Sequence, residues 1–386
     1  MESGSIAIQA AATAGDRKIP VLGHRLALDG LRGFAILLVF FGHLGIPTFD
    51  DGGGVGVTLF FVLSGFLITT ILLEELDGTG QIRLRRFYAR RALRLVPALV
   101  VVVAVVAGYT VMTGTESWSA VVSVLLYVGN WNRIVGADQF VLGTLGHTWS
   151  LAVEEQFYVV WPVVLIGLTA VIRNRRRLLI AFVLLAVAVV VWRTYLWQTG
   201  VSLSRVYIAT DTRADALLLG AATAVAFTLG MLRRPRFAWV AIAAAALWAI
   251  SVPPDSVATA LPAVRTFEVT ASIVIAELAG VVLIARAVTA PWSLLSGSVI
   301  RWFGKVSYGL YLWHLPIILI IGVETPLKFW TAIGLSLGAA AISWRFVEGP
   351  ALRLKARFGA VVRIGAASTT SLTNPGPEVL EQAPAI

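Results

Sequence analysis

Apolar stretches separated by short polar connections run along nearly the whole chain, at roughly 28–45, 55–73, 95–112, 121–128, 149–172, 178–197, 214–231, 237–252, 269–287, 306–323 and 330–347. All but 121–128 approach the about 20 mostly apolar residues that one helical crossing of a bilayer needs. The shorter alternating segments of a transmembrane β-barrel are missing. The pattern predicts an all-α, polytopic transmembrane helix bundle. The first apolar stretch runs past the core length of a signal peptide and no cleavage pattern precedes it, so it is read as a retained first span.

The polar connections set the expected topology. Arg17, Lys18 and Arg25 precede the first span, and the connection after it carries Asp50 and Asp51 without Lys or Arg. Further basic clusters are Arg83–Arg94, Arg173–Arg177, Arg233–Arg236, Arg301 with Lys305, and Arg353–Arg363. If 121–128 lies in the interface or re-enters, every one of these clusters falls on the first cluster's side. Lys and Arg accumulate in cytoplasmic connections. The expectation is therefore about ten spans with both termini cytoplasmic. Residues 1–27 form a cytoplasmic N-terminal segment, 28–350 the membrane core, and 351–386 a basic and then disordered tail rich in Ala, Ser, Thr, Pro and Gly. No internal repeat of clear period is visible.

Composition sharpens this picture. The chain has 386 residues, 58% hydrophobic and 13% charged, against about a quarter charged in soluble domains; mean hydropathy is +0.84. The net charge of +10 is the arginine excess of the connections, and no nucleic-acid partner is expected. With no cysteine in the sequence, a disulfide framework, thiolate metal ligands and a cysteine-linked acyl intermediate are excluded. No metal site and no permanently bound cofactor is expected.

Ionisable residues inside spans are costly and so are functional candidates. In the first span Asp29 and Arg32 are three apart and able to pair, and His43 follows Arg32 by eleven residues. That spacing returns to nearly the same helix face, roughly 16 Å further along the axis. The plainer reading is that Arg32 and His43 each reach to the nearest membrane interface. In HTWSLAVEEQFYVVWP, His147, Ser150, Glu154 and Tyr158 share one stripe; Glu154 is the better candidate for the interior, and the competing reading is a buried ion pair. DTRADALLLG places Asp211 and Asp215 on one face with Arg213 between them in sequence, and SYGLYLWHLP places Ser307, Tyr311 and His314 together. For His314 a neutral, hydrogen-bonded core role is favoured. Arg345 and Glu348 are spaced as a structural pair. The connection RLRRFYARRALRL interleaves Arg86, Arg90, Arg91 and Arg94 with Phe87 and Tyr88. Guanidinium forks bind phosphates and aromatic rings stack on purines, which suits coenzyme A; a positive-inside anchor touching lipid headgroups is the alternative.

Seven segments in order, LDGLRGFAILLVFFGH, LFFVLSGFLITTILLEE, RFYARRALRLVPAL, HTWSLAVEEQFYVVWP, DTRADALLLG, VSYGLYLWHLP and FVEGP, together resemble the acyltransferase 3 family of membrane O-acyltransferases. The family's arginine, ten residues, then histidine signature is met by Arg32 and His43. The resemblance implies ten spans in the plasma membrane and an acyl-CoA donor, with acetyl-CoA favoured. It also implies transfer to a hydroxyl of a carbohydrate or sugar-bearing acceptor, a cell-envelope glycan or a macrolide. It points to Arg32 and His43 as essential and to the RFYARR segment as a donor contact. Some members carry an additional hydrolase-like domain; none is found in this sequence, so the expectation is that the membrane core completes the transfer.

The expected mechanism is direct transfer, with His43 as general base, a carboxylate such as Glu154 orienting its ring, and Arg32 stabilising charge or holding the donor in the same cavity. The rival class is a proton-coupled transporter or flippase of a lipid-linked or small substrate, for which buried Arg, His and Glu are equally suited.

Overall fold

The computed structural model describes residues 21–49, 51–114, 118–136, 143–251 and 268–355. The N-terminal segment before residue 21 and the tail beyond 355 expected above lie outside these residues. Among the described residues every regular element is helical.

The long helices follow the apolar segments. They are α1 (Leu26–His43), α2 (Gly52–Thr79), α3 (Leu84–Thr113), then the short α4 (Trp118–Leu125) and α5 (Gly129–Val135). A 3-10 turn, Gly143–Thr148, leads into α6 (Trp149–Val171), followed by α7 (Arg175–Gln198), the short α8 (Leu203–Ile208), α9 (Thr210–Thr228) and α10 (Phe237–Ser251). The last group is α11 (Ile273–Thr289), the one-turn α12 (Ser293–Ser296), α13 (Ser298–Ile321) and α14 (Pro326–Ser343), closed by a π-helical turn, Trp344–Glu348, and α15 (Gly349–Lys355).

Eight of these are long and apolar enough to cross a membrane, α1, α2, α3, α6, α7, α11, α13 and α14. The chain is a multi-pass helical protein. Segment 121–128 falls on α4, whose 8 residues are too few to span. Two of the expected ten crossings are less plain. Helix α9 has 19 residues but carries Asp211, Arg213 and Asp215, and α10 has 15 residues, about 22 Å at 1.5 Å per residue.

Helix α2 runs through the middle of the bundle, buried along most of its length, while α7 and α10 present Val183, Leu184, Val187, Val191, Ile242 and Trp248 outward. In lipid such faces have no reason to hide. Several helix pairs touch backbone to backbone. A Cβ at Gly33 of α1 would overlap the Ile300 carbonyl oxygen of α13, and one at Gly65 of α2 would overlap Leu217 of α9. Glycine is required there because helices packed in lipid gain most from close contact between bare backbones.

The connections rich in arginine share one end of the bundle. Arg175, opening α7, bonds Asp77 near the end of α2 at 2.5 Å. The Leu22 amide, preceding α1, donates to Glu74 at 2.6 Å, and the chain at Leu295 lies against Gly30. At the opposite end, the Asp51 amide donates to the Ser251 carbonyl.

Candidate active site

The basic end of the bundle opens towards a narrow cavity of about 60 Å³ lined by Arg32, Ser64, Arg91, Arg94, Glu154 and Ser307, among others. Arg32 donates to Ser307 Oγ at 3.1 Å, and Ser64 donates to Glu154 Oε1 at 2.7 Å. Arg91 lies 3.4 Å above the Tyr158 ring and bonds Glu155 at 3.3 Å. Arg94 is buried with Nη1 lacking a hydrogen-bond partner.

The predicted donor segment is the start of a helix rather than a loop, and its side chains diverge accordingly. Phe87, Arg91 and Arg94 recur at helical spacing and turn inward; Phe87 is 5% exposed and is not free to stack on a purine. Arg90 reaches Glu75 at 4.0 Å, Tyr88 donates to the Val159 carbonyl at 2.7 Å, and Arg86 is exposed. The expected Arg345–Glu348 pair is replaced by another arrangement. Arg345 lies over the Phe346 ring, and the π-turn carries the Glu348 carboxylate inward, where Ser343 donates to it at 3.0 Å and the charges of Arg94 and Arg32 act on it. Asp29 meets His24 at 3.0 Å.

Towards the opposite end lies a second cavity, of about 680 Å³, lined by His43, Asp51, Arg133, His147, Trp149 and Tyr207, among others. His43 Nδ1 is 2.8 Å from the Val39 carbonyl oxygen. A carbonyl can only accept, so Nδ1 carries the proton and Nε2 presents its lone pair. Val57 and Tyr311 line both cavities, so the two spaces share a wall. In that wall the Tyr311 hydroxyl donates to the His147 carbonyl at 2.6 Å and lies 2.6 Å from Ser150 Oγ. Beside the cavity, burial holds the Tyr207 hydroxyl above its ordinary pKa, opposed by the Arg213 guanidinium.

Arg32 and His43 therefore belong to different cavities, and Glu154 stands with Arg32's cavity rather than against His43. Eleven residues preserve the helix face but move about 16 Å along the axis, and α6 brings Glu154 to the cavity at the arginine's level. The His147–Ser150–Glu154–Tyr158 stripe is real and bridges both spaces, with His147 on the large cavity and the other three on the narrow one.

The DTRAD residues separate as well. Asp211 is clamped by Arg205 at 2.6 Å and Trp192 at 2.9 Å. Asp215 is wholly buried and bonds Arg193, while Arg213 donates to Thr58 at 2.6 Å. Arg193, with Glu277 of α11 also fully buried nearby, was not anticipated. Each is a lone charge in a long apolar run, a signal legible in the sequence.

A family model described as an acyltransferase domain matches residues 25–347. The chain belongs to the acyltransferase 3 family. The matched region is an acyltransferase domain, and eight helices of the chain are long and apolar enough to cross a membrane. It is similar to the peptidoglycan O-acetyltransferase OatA of Listeria monocytogenes, at 35% identity over 84% of this chain and 55% of the relative. It also resembles YrhL of Bacillus subtilis, to which peptidoglycan O-acetylation is provisionally ascribed, at 33% identity over 84% of this chain and 54% of the relative. A provisionally named O-acetyltransferase of Staphylococcus aureus is 32% identical over 88% of this chain and 59% of the relative. The chain spans a little over half the length of these relatives. No solved structure matches it.

Proposed function

We propose that the chain transfers an acyl group, acetyl in the first instance, from acyl-CoA to a hydroxyl of a cell-envelope glycan. The observation that carries this reading is the pair of cavities back to back: an arginine-lined space at the basic end and a larger histidine-lined space beyond it, sharing Val57 and Tyr311. The family and the names of its relatives support acetyl transfer to a glycan.

On this reading the basic end faces the cytoplasm, since lysine and arginine accumulate there, both termini are cytoplasmic, and α9 and α10 complete ten crossings. The narrow cavity, at about 60 Å³, is too small for a nucleotide, so it takes the thioester tip while the nucleotide stays outside, against exposed residues such as Arg85 and Arg86. Arg94 and Arg32, which line that cavity, face the thioester carbonyl. The large cavity is the size of small-ligand sites and takes a sugar, with Trp149 and Tyr207 as apolar walls and Asp51 and Arg133 as polar contacts. His43 Nε2 removes the acceptor's hydroxyl proton. The oxygen bonds to the acyl carbon, the carbon–sulfur bond breaks with its electron pair on sulfur, and the proton ends on the thiolate.

The test uses purified full-length protein in lipid nanodiscs with labelled acetyl-CoA and soluble glycan fragments, read by mass spectrometry. Ester formation that requires both substrates supports the reading. Vesicles that accumulate glycan without ester formation would replace it with transport.

A further inference from the structure

Three of the four histidines in the sequence converge from three separate elements. His43 ends α1, His147 sits in the 3-10 turn before α6, and His314 lies mid-way along α13. The His43 and His314 rings are 5.0 Å apart between centroids and 70° to one another, and the His147 and His314 rings are 5.1 Å apart at 75°. Such spacing leaves ring nitrogens within hydrogen-bond reach of one another after small rotations. The core role expected for His314 accounts for only half of it. Its Nδ1 bonds the Leu310 and Tyr311 carbonyls at 3.0 and 2.8 Å, which fixes the proton on Nδ1. Its Nε2 is buried with no partner. Neither nitrogen of buried His147 makes a hydrogen bond of good geometry. An open His314 nitrogen beside a His147 ring held only loosely by the Tyr311 and Leu312 backbone is costly unless something occupies it.

We propose that these three imidazoles share the proton taken up in catalysis, so that His314 and His147 are positioning residues for the base His43. The inference rests on the acyl-transfer reading above. A histidine base usually leans on a carboxylate that stabilises the imidazolium. Here His43 leans on a backbone carbonyl, and the groups packed round His314 are His43, His147, Tyr311 and the Phe40 ring. The charged side chains lining the cavity are Asp51 and Arg133. The open nitrogen of a second imidazole then does what the carboxylate does elsewhere: it accepts a hydrogen bond from the protonated ring and spreads the charge. Like charges at this spacing repel, so the trio holds one proton at a time. The set of groups lacks metal-binding geometry, which favours proton carriage over ligation.

The proton's path is then complete in atoms. The acceptor O–H bond breaks and its proton reaches His43 Nε2, shared with His314 and His147. The oxygen bonds the acyl carbon, the acyl–sulfur bond breaks, and the thiolate collects the proton. His147 stands nearest the dividing wall, where Tyr311 and Ser150 already share a hydrogen bond.

The test is a 15N-imidazole NMR titration of the full chain in nanodiscs, from about pH 5 to 8, alongside pH profiles of acetyl transfer. Wild-type protein is compared with His314→Gln, His147→Gln and His43→Ala. We expect the His43 midpoint to move by about one pH unit or more in either Gln variant, the kcat profile to move with it, and the donor KM to stay unchanged. A His43 midpoint unmoved in both variants would overturn the proposal. The two Gln variants cover each other if one fails to fold. If His43→Ala keeps transferring, the base reading fails and the shared catalytic proton fails with it, while acyl transfer itself stands. If transfer is lost in His43→Ala but no coupling is seen, the base reading stands and the shared proton is overturned.

Discussion

The two inward arginines of α3 make opposite demands on the fold, and the difference separates donor binding from stability. Arg91 already has partners, Glu155 at 3.3 Å and the Tyr158 ring at 3.4 Å. Removing it strands a buried carboxylate, which costs about 3–5 kcal/mol. Arg94 is buried with Nη1 unpartnered, which leaves an N–H free for the donor's thioester carbonyl. Arg94→Gln should leave the thermal midpoint unchanged or higher, because a poorly compensated charge leaves the interior. It should also remove one charge-assisted contact to the donor, worth about 1.5–3 kcal/mol, so the donor KM should rise about ten- to a hundredfold. The acceptor KM should not follow. The assay is steady-state acetyl transfer by detergent-purified protein with each substrate varied, paired with thermal melting. Arg91→Gln serves as the contrast, with lost stability expected whatever its effect on the donor. A donor KM unchanged in well-folded Arg94→Gln protein would refute the placement of the donor at this arginine.

Three further outcomes follow from the same geometry. His43→Ala should lower kcat by roughly 10²–10⁴, the usual worth of general base catalysis, with donor binding measured by calorimetry left intact; retention of most of the turnover would move the base elsewhere. Single cysteines at Gly136 and Gln198 should react with an impermeant reagent on intact cells while those at Arg176 and Arg234 should not, with no background because the native chain has no cysteine; labelling at Arg176 would break the proposed orientation. Gly33→Val should cost about 1–3 kcal/mol or more through overpacking against Ile300, read as a lower melting temperature in size-exclusion-purified protein, and a neutral result would mean that α1 and α13 separate more readily than their contact suggests.

Hydrophobic pattern alone settled the helical class and located the long apolar segments, because lipid allows few ways to satisfy a backbone; the charges of the connections, rather than hydrophobicity, set 121–128 apart. Seven motifs in order carried the family. The face shared by Arg32 and His43 was also legible, since helical periodicity is local. Depth was not. Which side chain meets which at a given level depends on how α1, α6 and α13 slide along one another, and that is set by contacts such as Gly33 on Ile300 that no single segment reveals. Hence the expected Glu154–His43 partnership dissolved into two cavities, Arg345 and Glu348 parted at a π-turn, and His314, hydrogen-bonded in the core as expected, also proved a neighbour of His43 and His147. The donor segment shows the same limit: its composition announced a cationic surface, and only the helical path through Leu84–Thr113 decided that Arg91 and Arg94 turn inward while Arg86 stays in solvent. Sequence spacing encodes direction around a helix axis; distance between helices is a property of the packed bundle.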